Sequence, residues 1–554
     1  MTETSTRVVQ SPDPAVGVLD YRRDAVAQWI LLALAVWCLW RPIETFPTSA
    51  IVVAVVVLGL AVWAWRRTPE DSNPWLIAGA TGSVLWISGA AGWDPASAVS
   101  EISLLMAAGS LMWLASRILP PEKWPALLGL AISALAIWGL WQVTVGLDQA
   151  VSSVAQLPLE MRAAAAERLA SGRAFASQLL PSHLSVLFAT ALPLLLWRIR
   201  PRWSASPWVA GSALCVMGLV LTRSPIGAAI ALAACGVLAA GRKKRVLLLI
   251  ALLLVPVLVS VIMARGDVME LEPVQLRIDN WRTAAWVWST APAAGVGFGG
   301  FAQAAQAVPF DVGNRPRHAH SMPLEWLAEL GPVGLLVVVF AGFALWRLLR
   351  RLWPERPELA VALAVIPVHN LVDFSLYGSG VALAWAVLVG WAIALTNTSP
   401  GAAPAPARGR VIFVAAAAVV LAATVLHVTS LMVEESAAAR TDAAEKLDGA
   451  FEARKLAPWR VDPLGLVASA ALETGDSLHI SQARAELERG RWLRPHSAAL
   501  ASLRAQLAVA VSSAPAAVSE AWISASEQPS DPERAENLDR LLIRLESGAE
   551  DDGS

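Results

Sequence analysis

The chain has 554 residues, of which 56% are hydrophobic and only 16% are charged. Soluble globular domains are about one-quarter charged, so this composition indicates an integral membrane protein. The formal net charge of −1 gives no support for binding to nucleic acids. The three cysteines, Cys38, Cys215 and Cys235, lie inside apolar runs, where they predict neither a disulfide framework nor a metal site.

Apolar segments long enough to cross about 30 Å of hydrocarbon as helices recur along the chain. They predict an all-α polytopic membrane protein with about thirteen transmembrane helices. The predicted spans cover approximately residues 26–46, 48–65, 75–93, 96–116, 124–146, 177–197, 205–221, 224–240, 246–263, 324–346, 358–376, 380–397 and 411–433. This division leaves an N-terminal tail at 1–25, a transmembrane domain at 26–433 and a C-terminal domain at 434–554.

The distribution of Arg and Lys predicts how these spans are oriented. Positively charged clusters fall on every second connection, at Arg22/Arg23, Arg66/Arg67, Arg117/Lys123, Arg198/Arg200/Arg202, Arg242/Lys243/Lys244/Arg245, Arg347/Arg350/Arg351/Arg356 and Arg408/Arg410. Because cytoplasmic loops are enriched in Lys and Arg, the N-terminus is predicted to be cytoplasmic. The Ala-rich composition is typical of a high-GC bacterium, so the C-terminal domain is expected in the periplasm and the protein in the inner membrane.

Two long connections, residues 148–176 and 264–323, lie on the predicted periplasmic side, and a short interfacial helix is expected in the first. The periplasmic connections contain arginines but no lysine, at Arg162, Arg168, Arg173, Arg223, Arg265, Arg277, Arg282, Arg315 and Arg317. Planar guanidinium groups suit bidentate binding of phosphate or pyrophosphate. The alternative is that Arg is simply the preferred cation of this chain, in which Lys is scarce throughout.

The second long connection contains a helical pattern followed by a glycine run. Over 275–290, apolar residues recur at helical spacing, which predicts an amphipathic helix in the membrane interface or, as an alternative, an ordinary solvated helix. The run Gly295–Gly300 matches a dinucleotide-binding pattern but lacks a βαβ context. It therefore predicts a tight backbone turn, with N–H groups available to an anion.

Two histidines, His318 and His320, stand directly before the next apolar helix. No third ligand of suitable spacing follows them, so no metal is predicted. A His beside arginines at a membrane face suits proton transfer or hydrogen bonding to a substrate, whereas the alternative is a His satisfied by backbone carbonyls. His369 and Asp373 lie four residues apart near the outer end of another span and are expected to face the same cavity.

The C-terminal domain has a weak internal repeat. Pro458, Pro495 and Pro532 recur with a period of 37 residues, and each of the first two follows one predicted helix and opens another. This pattern predicts stacked helical hairpins of the tetratricopeptide kind, about three units long. Such arrays bind partners or polymers, so a protein partner for this domain is expected.

Several stretches, in order over roughly residues 170–400, together resemble the O-antigen ligase/O-antigen polymerase superfamily of bacterial membrane glycosyltransferases. They are Gly172–His183 running into Ala191-Leu192-Pro193-Leu194, Leu221–Gly227, Trp281-Arg282 with Pro292–Gly299, Ala319–Glu325 with Glu329–Gly334, and His369–Phe374. A C-terminal helical-repeat appendage is also familiar in this superfamily.

The resemblance implies a large outward loop that caps a lateral cavity, in which a polyprenyl-pyrophosphate-linked glycan donates its sugar chain to the hydroxyl of a glycolipid or glycan acceptor. It implies no metal, nucleotide or other cofactor, because the leaving group is already activated. His320 and Arg282 would be the catalytic residues. The substrate-binding residues would be Arg277, Arg223, His318, Arg317, Asp373 and His369.

Three alternatives stay open within this interpretation: a ligase, a polymerase, and an enzyme of protein O-glycosylation. A different class, a transporter or flippase of lipid-linked sugars or small anions, would spread ionisable residues along many spans. Here they concentrate at one face, mostly in one loop, which favours an enzyme. A structural scaffold acting through its C-terminal domain would leave the Arg and His residues unexplained.

Overall fold

The structure is a computed structural model. It describes residues 14–42, 95–116, 120–154, 169–178, 180–199, 206–240, 272–308, 316–396, 429–458, 460–491 and 498–510, together with residues 166 and 426. All regular secondary structure within these ranges is helical, which confirms the predicted all-α class. The predicted spans 48–65, 75–93 and 246–263 and most of 411–433 lie outside the described residues, as does most of the expected interfacial helix in 148–176.

The described helices of the apolar region are numbered in chain order. They are α1 Pro14–Trp40, α2 Pro95–Ser116, α3 Trp124–Trp141, α4 Leu147–Ser153, α5 Pro181–Leu196, α6 Pro207–Thr222, α7 Pro225–Ala240, α8 Glu272–Thr290, α9 Phe301–Ala304, α10 Met322–Leu330, α11 Pro332–Leu352, α12 Pro357–His369 and α13 Ser379–Thr396. A π-helical turn, Gln142–Gly146, joins α3 to α4, and short 3₁₀ turns lie at Ala305–Ala307 and Ser375–Tyr377.

Helix α5 lies at the centre of the bundle. Fifteen consecutive residues, Pro181 to Leu195, are buried, and the helix packs against α3, α6, α7 and α12. Small residues permit this packing: a side chain on Gly218 of α6 would overlap the Phe188 ring, and one on Gly227 of α7 would overlap Ser185. Close helix approach at small residues is typical of membrane bundles.

The connections between helices gather at two opposite ends of the bundle. At one end, Ser177 and Gln178 donate hydrogen bonds to the Leu39 carbonyl, and the Met322 N–H donates to the Asn370 carbonyl. At the other end, Glu122 pairs with both Arg198 and Arg356. The described parts of the predicted periplasmic connections therefore lie at the first end, and Arg198 and Arg356 of the predicted cytoplasmic clusters lie at the second. The assignment of these ends to the two compartments stays a prediction.

Two predicted boundaries are wrong, whereas the predicted N-terminal tail stays a prediction. The span predicted at 324–346 is two helices, because Gly331 adopts a φ of +62° and ends α10 before Pro332 opens α11. The span predicted at 358–376 ends as a helix at His369, so Asp373 lies in the following loop. Helix α1 begins at Pro14, inside the segment predicted as an N-terminal tail.

Membrane spanning is supported by length and composition in three described segments, Trp124–Ser152, Pro332–Leu352 and Ser379–Thr396. Shorter apolar segments, 10–17 residues long, lie in other described helices such as α5 and α12. Helix α11 exposes most of its apolar surface, including Phe340 at 68% exposure. An apolar surface of this extent is suited to contact with lipid or another apolar helix.

The glycine run forms the predicted tight turn, with positive φ angles at Gly295, Gly297 and Gly299. Its N–H groups bind the end of α10: Val296 N–H donates to the Ala328 carbonyl and Gly297 N–H to the Glu329 carbonyl. Directly after the run, Phe301 N–H donates a 3.2 Å hydrogen bond to the Glu329 side chain. The run thus satisfies the terminal carbonyls of α10.

In the C-terminal domain, α14 (Ala443–Leu456), α15 (Pro463–Thr474), α16 (Ser477–Arg491) and α17 (Ala498–Ala510) each pack on the next in sequence. They bury a small core that includes Leu447, Leu464 and Leu487. Helix α15 opens at Pro463 rather than at Pro458, which lies in the turn after α14. The tetratricopeptide-like repeat stays a prediction, and its third unit around Pro532 lies outside the described residues.

Candidate functional site

Two loops meet at the first end of the bundle and form the candidate site. One contains His318 and His320 and leads into α10, and the other follows α12 and contains Asp373. The Met322 N–H to Asn370 carbonyl hydrogen bond, 3.0 Å long, joins them. Asn370 also orders its own loop, because its side chain donates to Ser375 Oγ at 2.8 Å and accepts from Leu376 N–H at 3.0 Å.

Asp373 is the centre of the site. Its side chain is fully buried, and three basic groups face it: Arg277 Nη2 at 3.8 Å, His320 Nδ1 at 3.7 Å and His369 Nε2 at 3.6 Å. These distances exceed those of hydrogen bonds. Arg277 and Asp373 are linked by opposite charge, and the two imidazoles lie beside this pair. The residues come from three separate segments: α8, the loop before α10, and α12 with its following loop.

The pKa values of His320 and of Asp373 are both lowered, for different reasons. Burial lowers the pKa of His320, and Arg277 and His318 lower it further, which outweighs the opposite effect of Asp373. Burial alone would raise the pKa of Asp373, but His369, His183 and His320, with the Phe374 N–H, hold it below its ordinary value. At neutral pH the site therefore contains a carboxylate beside a neutral imidazole, the form that can accept a proton.

Helix α8 contacts both Asp373 and the backbone of His320. Arg277 projects from it to Asp373, and Trp281 Nε1 donates a 3.3 Å hydrogen bond to the His320 carbonyl. His320 adopts a φ of +52°, an uncommon conformation for a residue other than glycine. A strained backbone angle of this kind persists only where surrounding contacts determine it, and it is frequent at functional sites.

His318 forms a second imidazole–carboxylate pair. Its Nδ1 lies 2.8 Å from Glu325 Oε1, and Glu325 Oε2 accepts a 2.8 Å hydrogen bond from Ala319 N–H. The Phe374 ring contacts both histidines of the loop, stacked on His318 at 4.4 Å between ring centres and edge-on to His320 at 4.7 Å. The His318–Glu325 pair and the His320–Asp373 pair therefore both pack around the Phe374 ring.

The structure separates the predicted arginines. Arg277 lies at the Asp373 centre, whereas Arg282 is 63% exposed and pairs with Asp279 on the same helix at 3.5 Å. Arg277 and Arg282 are five positions apart in the chain, so they point to different sides of α8. Arg317 is exposed, and Arg315 lies outside the described residues.

Arg223 lies at the same end of the bundle but in a different setting. It ends α6 with a φ of +46°, and its Nη1 donates a 3.2 Å hydrogen bond to the Ser171 carbonyl. Nearby, Arg173 Nε donates to the Thr222 carbonyl at 3.0 Å. These contacts hold the loop before α5 against the end of α6, so a structural role for Arg223 is evident alongside the predicted binding role.

Sequence reasoning did not single out His183, Phe374 or Glu325. His183 is fully buried in α5, contacts Phe374 edge-on at 5.1 Å, and has no hydrogen-bond partner for either ring nitrogen among the described residues. Glu325 could have been found, because a carboxylate at the start of an apolar helix requires a partner when buried. Phe374 had no signal apart from its position next to Asp373.

The arrangement is suited to acid–base chemistry on an anionic substrate. Two partly exposed imidazoles, each with Nδ1 directed at a buried carboxylate, provide proton acceptors. The guanidinium of Arg277, 24% exposed, provides positive charge beside them. Together they match the needs of a reaction in which a hydroxyl loses a proton while negative charge develops on a leaving group.

The comparison with family models places this region in a known group. The O-antigen ligase family model matches residues 210–339, which contain α7, α8, the glycine turn and both loop histidines, and which end before Asp373. No curated protein and no solved structure matches the chain. Residues 210–339 are thus similar to the O-antigen ligase family, in agreement with the resemblance found in the sequence.

Proposed function

We propose that this protein transfers a glycan from a polyprenyl-pyrophosphate carrier to an acceptor hydroxyl, at the periplasmic face of the inner membrane, in cell-surface polysaccharide assembly. The observation that carries the proposal is the position of the O-antigen ligase match: it covers the segment in which Arg277, His318 and His320 lie. The geometry supports it, because this segment folds against Asp373, which lies outside the match.

In the proposed reaction, the acceptor oxygen attacks the anomeric carbon of the donor sugar. The bond from that carbon to the pyrophosphate oxygen breaks, and the pyrophosphate leaves with the electron pair. His320 takes the hydroxyl proton through Nε2, since its Nδ1 faces Asp373. Arg277, which lies beside Asp373, binds the pyrophosphate and stabilises its developing charge. The binding roles of Arg282, Arg223 and Arg317, which lie outside the Asp373 centre, stay predictions. His369 supports the Asp373 carboxylate.

The experiment is polysaccharide profiling of cells that lack the gene, complemented with wild type, His320→Asn or Arg282→Ala. Asn tolerates the left-handed backbone of position 320 better than Ala, so a loss of function there reports on the imidazole. We expect lipid-linked glycan to accumulate and only wild type to restore the mature polymer. Long lipid-linked chains would indicate a ligase, and single units a polymerase. Full complementation by stably expressed variants would instead favour a transporter.

The pH dependence of transfer follows from His320. Its pKa lies below the ordinary value of 6.5, so the neutral base is present at neutral pH and activity falls only as the pH drops through that lowered pKa. Arg277→Gln removes a cation that lowers this pKa, so the acid limb of the rate profile is expected to move to higher pH. Arg277→Lys keeps the charge and is expected to leave the limb in place. An unmoved limb in Arg277→Gln would refute the assignment of this limb to His320.

A further inference from the structure

The two partly exposed histidines of the site are held with different tightness. His320 is 27% exposed, and its Nδ1 lies 3.7 Å from Asp373 Oδ1, too far for a hydrogen bond. His318 is 16% exposed, and its Nδ1 lies 2.8 Å from Glu325 Oε1, a short hydrogen bond to a carboxylate that is only 1% exposed. His318 is therefore the imidazole whose orientation the protein determines most strongly.

Glu325 determines which nitrogen of His318 holds the proton. One carboxylate oxygen accepts from Ala319 N–H at 2.8 Å, and the other faces His318 Nδ1. A carboxylate that accepts at both oxygens requires a donor at Nδ1, so this contact favours the His318 tautomer with its proton on Nδ1. Nε2, on the far side of the ring, then presents a lone pair.

Aromatic contacts fix the plane of the same ring. Phe374 stacks on His318 with an angle of 23° between the rings, and the Tyr377 ring lies 4.7 Å from it. Tyr377 is itself held, because its hydroxyl accepts a 3.0 Å hydrogen bond from Trp326 Nε1. With the plane set by these rings and the rotation set by Glu325, Nε2 of His318 has a defined direction.

We propose that Glu325 is a positioning residue that acts through His318, and that His318 Nε2 accepts a hydrogen bond from a hydroxyl group of the acceptor. This role rests on the proposed function and adds to it a binding contact for the acceptor, separate from the proton transfer assigned to His320. The contact suits a polyhydroxylated acceptor, because each sugar hydroxyl is a donor that a fixed lone pair can select by position.

Two substitutions isolate the Nε2 lone pair. Glu325→Gln keeps the shape of the side chain and an oxygen for Ala319 N–H, but its amide N–H₂ makes Nδ1 the acceptor and moves the ring proton to Nε2. His318→Asn keeps an N–H donor for Glu325 and removes the Nε2 position. A matched control is Glu329→Gln, a second buried glutamate of α10 whose amide oxygen still accepts from Phe301 N–H.

Transfer rates are measured with the full-length variants, with lipid-linked glycan extracted from cells lacking the gene as donor and membranes of those cells as the source of acceptor. We expect Glu325→Gln and His318→Asn each to raise the KM for acceptor about tenfold, the effect of one lost hydrogen bond, while the KM for donor stays within about twofold. Because both act on the same contact, the double variant is expected to match the single variants.

Three results would overturn the role of Glu325. They are wild-type acceptor dependence in Glu325→Gln, an equal change in Glu329→Gln, and a double variant whose effect is the product of the two single effects. Thermal unfolding of each variant accompanies the assay. If Glu325→Gln fails to fold, His318→Asn alone decides whether the Nε2 contact exists. An inactive wild-type protein under these conditions would refute the proposed function itself, and with it the role of Glu325.

Discussion

Asp373→Asn is expected to reduce glycan transfer about 100-fold or more. The fully buried carboxylate is the only side chain in the described part of the protein that faces Arg277, His320 and His369 together. An amide removes the negative charge from this centre and places an N–H₂ group or a neutral oxygen opposite His320 Nδ1. The imidazole then loses the charge that orients it and that stabilises its protonated form after proton transfer.

The measurement is the initial transfer rate per amount of folded protein, with lipid-linked glycan as donor. Asp148→Asn is the matched control, because Asp148 is an exposed aspartate at the same end of the bundle. It is expected to retain the wild-type rate. A rate above half of wild type in Asp373→Asn would show that the buried carboxylate has no part in the reaction.

Gly295→Ala is expected to destabilise the protein by on the order of 3 kcal/mol or more. Gly295 has a φ of +72°, and a Cβ atom there would lie 2.2 Å from the carbonyl carbon of Glu329. The substitution adds a strained backbone angle and an overlap with backbone that cannot move without displacing α10. Glu325 and its contact with His318 would move with that helix.

Thermal unfolding in detergent measures this effect. Gly342→Ala is the control, since Gly342 lies within α11 and a Cβ atom there meets nothing within 4 Å. Ala is the better helix former by about 1 kcal/mol, so this variant is expected to be as stable as wild type or slightly more stable. Equal unfolding temperatures for the two variants would show that the glycine turn does not hold α10.

The elements with local signals could be predicted from the sequence. The helix predicted over 275–290 is present as Glu272–Thr290, because its 3.6-residue pattern is independent of distant contacts. The glycine turn also has a local signal, because the run Gly295–Gly300 by itself predicts a tight backbone turn. His369 and Asp373 were expected to share a cavity with His320, and the structure brings them together.

The orientation of α8 could not be predicted. The apolar pattern of Ile278, Trp281 and Ala285 predicted a helix in the membrane interface or a solvated helix, but not which face packs on the protein; Ile278 and Ala285 are exposed. The buried face instead contains Asn280 and Thr283 together with Ala284. In a membrane protein the surroundings are themselves apolar, so hydrophobicity does not distinguish the packed face of a helix from the outer one. The resemblance at Trp281-Arg282, and not the apolar pattern, ranked Arg282 above Arg277.

The partners of the two histidines also depended on tertiary structure. Phe374 and Asp373 are more than fifty residues from His320 in the chain, and tertiary contacts such as the Met322–Asn370 backbone hydrogen bond bring their loops together. His183 lies in an apolar helix, where a single histidine has no pattern that would indicate a site. Glu325 differs, because a carboxylate within an apolar stretch indicates an unidentified partner nearby.

The hydrogen bond from Trp281 to the His320 carbonyl has a consequence for the binding of donor and acceptor. Arg277 and Trp281 are one turn apart on α8, so a ligand that draws Arg277 away from Asp373 acts on the same rigid element that holds the backbone of His320. Binding of the donor at Arg277 therefore changes the affinity for the acceptor at His320. Thermodynamic reciprocity requires the acceptor to change the affinity for the donor by the same factor. Donor and acceptor are expected to bind cooperatively, with an apparent affinity for each that depends on the concentration of the other.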